Sequence, residues 1–432
     1  MITLKRLLKL PIVTLLSWGA RLVILRYRPK VLMVTGSVGK TSAKDAIAAA
    51  LSSEFYLYKS EKSYNSEFGV PLTIMGCKNP WNNPLAWLGV FRHLLALLIL
   101  PNHYPKLLVL EVGADRPGDL ARILKIAIPD AVVVTRLPEI PVHVEAYSSP
   151  RAVHEEEFMP AYALAPGAPL ILAADDQNAL ALAAHLHARL ITYGFTPEAA
   201  VRAEEPQVYQ EDGQVQGMEA EIHLGKSTKT LRVPGALGRQ HLYAPLAALA
   251  AAEALGVPAK QAVQGLLEYV APPGRERLLE GINHTLLIDG SYNASPAAVE
   301  HGLLGLSMIP QVKRRVAILG DMMELGRYSV GEHERIGTLA ASRTDLLVTV
   351  GVRSRAIAEA ARKAGMAEDK ILSYTSAREA VTALPALVLE GDAILIKGSQ
   401  SVRLERVVAA LLANVSDTHK LVRQDSEWLK IG

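Results

Sequence analysis

Val31–Thr35 (VLMVT) is a short aliphatic and β-branched run that breaks at once into Gly36-Ser37-Val38-Gly39-Lys40-Thr41-Ser42, followed by the alanine-rich stretch Ala43–Leu51. A buried strand, a glycine turn and a helix in that order predict the opening of a parallel α/β domain. The same turn suits phosphate. Its glycines let backbone amides approach an anion, the following helix presents its positive end, and Lys40 adds a cation. The Thr41 hydroxyl is of the type that binds magnesium beside phosphates. A complete Walker A pattern has glycine where this chain has Val34, so the generic signature is one glycine short. Thr35, Gly36, Ser37, Val38, Gly39, Lys40, Thr41 and Ser42 are the candidate nucleotide-binding residues.

Further buried strands are expected at Leu107–Leu110, Ala131–Thr135, Leu170–Ala173 and Leu190–Tyr193, with helical patterns between most of them. From Val201 to Val233 the texture becomes polar and alternating around a Glu211-Asp212-Gly213 turn, which predicts a small antiparallel patch. Leu242–Leu255 reads as a helix, and Pro272-Pro273-Gly274 marks a domain boundary. Beyond it, strands are expected at Leu286–Asp289, Arg315–Leu319, Leu346–Val350 and Ala393–Ile396. A chain of 432 residues exceeds one hydrophobic core. The expected division is therefore an arm over 1–30, a larger α/β domain over 31–271 and a smaller one over 272–432.

The formal net charge of +3 and the lack of a long basic stripe exclude nucleic acid as the expected partner. The single cysteine, Cys77, excludes an internal disulfide or a cysteine-based metal cluster, in keeping with a cytoplasmic protein. Residues 1–30 hold Lys5, Arg6, Lys9, Arg21, Arg26, Arg28 and Lys30 but no acid, around an apolar run, Leu10–Ala20, that is too short to span a bilayer. No small-residue cleavage site follows that run, as a signal peptide would require. Trp81–Pro101 is a second apolar segment, with Arg92 its only full charge, expected as an inserted helix or helical hairpin. Trp18, Trp81 and Trp87 fall in these two segments, and tryptophan favours the membrane–water interface. Two readings stand. The segments either rest peripherally on an anionic membrane surface or pack on each other as core.

Five further motifs follow in order. They are Tyr64-Asn65-Ser66-Glu67-Phe68-Gly69-Val70-Pro71-Leu72-Thr73, Glu111-Val112-Gly113-Ala114-Asp115-Arg116-Pro117-Gly118, Asp289-Gly290-Ser291-Tyr292-Asn293-Ala294-Ser295-Pro296, Gly320-Asp321-Met322-Met323-Glu324-Leu325-Gly326, and Lys397-Gly398-Ser399 with Arg403 and Glu405. With the loop spelled TGSVGKTS, the ordered set resembles the Mur ligase family, and within it the branch that adds D-alanyl-D-alanine to peptidoglycan precursors. The resemblance implies a central P-loop-type parallel-sheet ATPase domain and a smaller C-terminal Rossmann-like α/β domain. It also implies ATP-dependent amide-bond formation with Mg2+, in which a carboxylate-bearing cell-wall precursor is activated as an acyl phosphate and joined to an amino acid or dipeptide.

The same resemblance implies site roles. Lys40, His143, Glu157, Arg275 and Lys397 would be catalytic. Thr41, Glu111, His143 and Glu157 would hold magnesium. Arg275 and Asp289 would join the loop in binding ATP, and Asn65, Ser66, Thr73, Asn293, Lys397 and Arg403 would face the substrates. Glu157 falls where most members carry a lysine that becomes carbamylated, and a native carboxylate serves the same electrostatic purpose. The other reading of Glu155-Glu156-Glu157 is a solvated acidic helix start.

Three departures accompany the resemblance. Gln240-His241-Leu242-Tyr243-Ala244 replaces the usual HNxxN segment near the adenine, and Gly290 replaces the second acid of DDSYNANP. Residues 1–30 are too few for the family branch's N-terminal domain, which holds uridine diphosphate, so the acceptor is expected to be held differently or to be a different one, for example lipid-linked. Two other functions remain in play: a sibling ligase that extends a poly-amino-acid or folate-type chain, and an ATP-binding subunit without catalysis.

Overall fold

The computed structural model describes residues 2–61, 64–80, 83–225, 227–425 and 428, with the side chains of residues 2–10 and 84 outside that description. Its first sheet has ten strands: β1 (Lys30–Thr35), β2 (Leu57–Lys59), β3 (Leu107–Glu111), β4 (Ala131–Val134), β5 (Pro169–Ala173), β6 (Arg189–Gly194), β7 (Val201–Ala203), β8 (Gln207–Glu211), β9 (Gln214–Leu224) and β10 (Ser227–Pro234). They lie in the order β10-β9-β7-β6-β5-β4-β1-β3-β2, with β8 paired to β9. The strands from β2 across to β7 are parallel, and β8, β9 and β10 pair antiparallel. The sheet is therefore mixed, where a parallel one was expected. The polar, alternating segment does not form a patch of its own; it extends the same sheet through β7. The turn of its β8–β9 hairpin has Asp212 and Gly213 both at positive φ, 51° and 77°.

Central strands β1, β3 and β4 carry continuous apolar runs, Val31–Val34, Leu107–Leu110 and Ala131–Val134, because helices cover both faces. On one face α2 (Lys40–Leu51) packs with the helix Gln240–Ala254, burying Ala46, Ile47, Ala50 and Ala247. On the other lie α1 (Ile2–Tyr27), α3 (Gly69–Ile74) and α4 (Pro84–Ile99), whose Leu16, Ala20, Val23, Val90, Leu94 and Leu97 join the core of Val31, Met33 and Leu108. The apolar insert is thus a single helix. The arm and the insert do pack on each other. Gly19 permits this, since a Cβ there would come within 2.4 Å of Leu94 Cδ2. Trp87 turns inward, edge-on to Phe68, while Trp81 lies outside the described residues. Among the described residues no helix is long and apolar enough to cross a membrane.

α5 (Asp119–Leu124) and α6 (Pro150–Glu157) follow β3 and β4, and Ser149 caps α6 by accepting from the Ala152 amide. The acidic triplet occupies the last turn of α6. It is not a solvated helix start: Glu156 and Glu157 are buried. Glu156 accepts from the amides of Gly118 and Leu120 at 3.0 Å each, closing the amino end of α5.

The second sheet has β11 (Arg277–Gly281), β12 (Thr285–Gly290), β13 (Arg314–Gly320), β14 (Leu346–Val350), β15 (Ile371–Tyr374) and β16 (Asp392–Lys397), in the order β11-β12-β16-β13-β14-β15. Only β11 is antiparallel. The expected core strands of both sheets are present. Those that sequence reading missed, β2, β11 and β15, are edge strands of three to five residues without a continuous apolar run.

Candidate active site

Parallel strands point their carboxyl ends to one side of a sheet, where the loops that follow them meet. Val34 is in register with Glu111, so β1 and β3 end together, and Gly290 is in register with Lys397 at the ends of β12 and β16. Glu111, Lys397 and the loops that follow β1 and β12 border one cleft of about 950 Å³.

The turn after β1 is tightly built. Gly36 has φ +116°, and a Cβ on it would come within 2.4 Å of Thr135 Oγ1, so only glycine fits. Gly39, at φ +90°, caps α2. Lys40 Nζ donates to the Gly36 carbonyl and lies 3.9 Å from Glu157 Oε1. Glu157 supports the turn from below. Its carbonyl accepts from Thr35 Oγ1 at 2.6 Å, and its carboxylate accepts from the Ser37 hydroxyl. Burial raises the carboxyl pKa of Glu157, with Lys40 and Ser37 opposing it.

Thr41 Oγ1 donates to Glu111 Oε1 at 3.1 Å and accepts from Arg275 Nη2 at 2.9 Å, across 234 positions of sequence. The Glu111 amide donates to Ser60 Oγ at 3.0 Å, and Lys44 Nζ lies 3.9 Å from its Oε2. That Oε2 atom is buried without a hydrogen-bond partner, and burial raises the Glu111 pKa against the pull of Lys44, Lys40 and Arg275. A buried carboxylate oxygen with spare acceptor capacity, beside a hydroxyl at the amino end of a helix, fits a divalent cation. His143 lines the same cleft but contacts other acids. Its Nδ1 is 3.0 Å from Glu324 Oε2 and its Nε2 3.6 Å from Asp115 Oδ1. Burial lowers the His143 pKa, but the two acids outweigh it and the net shift is upward. Among the described residues no group of three or more histidine, cysteine, aspartate or glutamate side chains is close enough to hold one metal ion.

The opposite wall comes from the second sheet. Lys397 Nζ is 2.6 Å from Glu276 Oε1 and donates to the Asn293 carbonyl at 3.2 Å. Glu276 sits at φ +49°, with His241 Nε2 3.4 Å from its Oε2. Burial opposes charge on Glu276, yet Lys397 and His241 hold its pKa down at about 2. His301, also on the cleft, is pushed down to about 4 by burial. Arg403 pairs with Glu405, which Arg423 Nη1 reaches at 3.0 Å. Asn65 borders the main cleft and an adjoining cavity of about 430 Å³, which Ser66 also lines.

Thr35, Gly36 and Glu157 line neither cavity but belong to or hold the turn after β1, and two further expected site residues stand apart from it. The Thr73 hydroxyl is buried and donates to the Gly69 carbonyl within α3 at 3.0 Å, and Thr73 lines neither cavity. Asp289 is fully buried behind the cleft wall, with Oδ1 accepting from the Ser291 amide at 3.0 Å. Sequence reading missed Glu276, His301, Arg136 and Trp428, all of which line the cleft. Only Glu276 carried a signal, its place directly after Arg275.

The profile described as the Mur ligase middle domain matches residues 34–252, more than half of the chain, and that of the Mur ligase, glutamate ligase domain matches 274–400. The chain belongs to the Mur ligase family. Membership makes it an ATP-dependent acid–amino-acid ligase. Among curated relatives, the UDP-N-acetylmuramoyl-tripeptide--D-alanyl-D-alanine ligase of Bacillus subtilis is 26% identical over 387 residues, covering 89% of this chain and 76% of that protein. The enzyme of the same name from Escherichia coli is 28% identical over 389 residues, covering 89% and 77%. The MurF ligase of Thermotoga maritima in complex with ADP superposes with a TM-score of 0.75 at 24% identity, covering 92% of this chain and 83% of that one, a likeness of fold.

Proposed function

We propose that the chain joins an amino acid or dipeptide to a carboxylate-bearing cell-wall precursor, as the family branch that adds D-alanyl-D-alanine does, at the cleft between the two sheets. One contact carries the reading. Arg275, from the start of the second-sheet half, donates to Thr41 in the loop of the first, so phosphate-directed groups of both halves meet at one point.

In this reading residues 35–42 form a P-loop-type phosphate cradle, and the halves are domains 31–271 and 272–432, the second Rossmann-like. The acceptor carboxylate attacks the γ-phosphorus of ATP and ADP leaves. The amine of the second substrate then attacks the acyl carbon, and inorganic phosphate departs as the amine sheds its proton. Negative charge gathers on the transferring phosphoryl group, and Lys40 and Arg275 are the cations directed at it. Mg2+ would supply further charge neutralisation, and Glu111 with Thr41 has the oxygens to hold it. His143 and Glu157 are proposed as the second-metal side of the site, with Glu157 in place of a carbamylated lysine. Asn65 and Ser66 would face the acceptor, and Asn293, Lys397 and Arg403 the amino substrate. Closing the cleft protects an acyl phosphate from water.

The test is incubation of the protein, ATP and Mg2+ with lipid-linked and soluble precursors plus amino acids and dipeptides, followed by phosphate assay and mass spectrometry. Phosphate release matched by an amide product supports the ligase. Product on a glutamate chain would favour the sibling reading, and neither phosphate nor product would leave a non-catalytic subunit.

A further inference from the structure

The face of α1 and α4 turned away from the core is apolar. On α4 the exposed positions Leu85, Leu88, Leu95 and Ile99 recur at three- and four-residue steps, forming one stripe with Arg92 at its centre. Leu15, Trp18 and Leu25 form a parallel stripe on α1, and Leu85 is 79% and Trp18 61% exposed. The helices are fixed side by side: Tyr27 Oη donates to the Leu97 carbonyl at 2.7 Å, and Arg26 Nη2 donates to the Leu100 carbonyl at 3.1 Å, at the end of α4. Two adjacent stripes of this kind make a contiguous patch, and large exposed patches mark interaction sites.

Charge selects the occupant. No Asp or Glu occurs from residue 1 to 44 or from 68 to 110, the two stretches that contain these helices. Arg21, Arg28 and Arg92 are exposed and form no ion pair among the described residues. A second copy of this chain would set the same cations against themselves, whereas an anionic bilayer offers both an apolar interior and opposite charge. Among the described residues neither helix is long and apolar enough to cross a membrane. We infer that the α1–α4 face is a docking surface for an anionic lipid bilayer, on which the two helices lie with Leu88, Ile99 and Trp18 in the headgroup–acyl boundary. The carboxyl ends of α1 and α4 lead into the starts of β1 and β3, two of the strands whose carboxyl ends carry the cleft. A surface of this kind would suit a lipid-linked form of the cell-wall precursor proposed above. It rests on that reading for its purpose, not for its binding.

Flotation of the full chain with vesicles tests this without any ligation step. Binding is expected with phosphatidylglycerol in phosphatidylcholine, little with phosphatidylcholine alone, and loss at high salt. Arg21→Glu with Arg92→Glu should weaken partitioning by more than about tenfold, given the contribution of each basic side chain near an anionic surface. Leu88→Ser with Ile99→Ser should weaken it comparably at an unchanged thermal midpoint; should that pair fail to fold, the charge-reversal pair carries the test. No binding to anionic vesicles at low salt overturns the inference. So does binding indifferent to salt and charge reversal, or a dimer in sedimentation that Leu88→Ser with Ile99→Ser dissolves. Because soluble acceptors test ligation separately, failure of either proposal leaves the other readable.

Discussion

The two walls of the cleft handle charge in opposite ways. On the second-sheet wall the charges are already paired: Glu276 with Lys397, and Glu405 with Arg403 and Arg423. On the loop wall Glu111 keeps a buried carboxylate oxygen without a hydrogen-bond partner, above a turn held by backbone contacts and by Glu157. Buried charge is tolerated where it is paired and is strained where it awaits a partner. In the proposed reading, the loop wall would receive external charge, while the opposite wall has its own charges paired beforehand.

The contrast is most exposed at Lys40. Lys40→Ala should lower ATP-dependent ligation about a thousandfold, the scale of removing one electrostatic stabiliser, with a near-native circular dichroism spectrum and melting curve. Near-normal turnover would remove the loop from the catalytic site. Glu276→Gln probes the pre-paired wall. It leaves Lys397 buried without its counter-charge and should destabilise by roughly 3 kcal/mol in urea titration at neutral pH. The sign with pH follows from the depressed pKa of about 2. The stabilisation from this carboxylate is complete above the ordinary glutamate range and fades as pH falls toward that value. The wild type should lose stability over that acid window more steeply than Glu276→Gln.

Support beneath the loop is separable from surface charge. Glu157→Ala removes the carboxylate from Ser37 and Lys40 and should destabilise by about 1–3 kcal/mol while lowering activity. Glu155→Ala, on the exposed side of α6, should stay within about 0.5 kcal/mol. If Glu157 stands in for a carbamylated lysine, added bicarbonate leaves activity unchanged. Equal, mild effects of both substitutions would erase the distinction.

The smallest expected shift is the most diagnostic. Burial raises the Glu111 pKa, so the folded state holds its proton more tightly than the unfolded chain. Stability from this group is present at low pH and is lost as pH rises through the raised value, leaving Glu111 a cost at neutral pH. Glu111→Gln should therefore raise the melting temperature slightly without Mg2+, abolish the gain in melting temperature on adding Mg2+, and impair ligation. A lower melting temperature in Glu111→Gln would show that the carboxylate is already satisfied.

Much of this was legible because single elements carry their own periodicity. The β1–α2 turn, the central strands and the order of the motifs follow from local spacing, and the family follows from those motifs. The resemblance also put Thr73 among the substrate residues, but a motif does not say which way a side chain turns. The helix α3 buries Thr73 and ties its hydroxyl to Gly69. Glu155-Glu156-Glu157 read equally well as a helix start, until the capping of α6 by Ser149 and the packing under the loop buried two of the three. The elements, their order and the kind of chemistry their loops can support are written in the order of residues along the chain. Only the tertiary structure decided that Arg275 meets Thr41, that Glu276 neutralises Lys397, that Trp428 borders the cleft, and which face of α1 and α4 stays uncovered. Periodicity is a property of neighbours along the chain, whereas these contacts depend on strand order and on how the two sheets are set against each other.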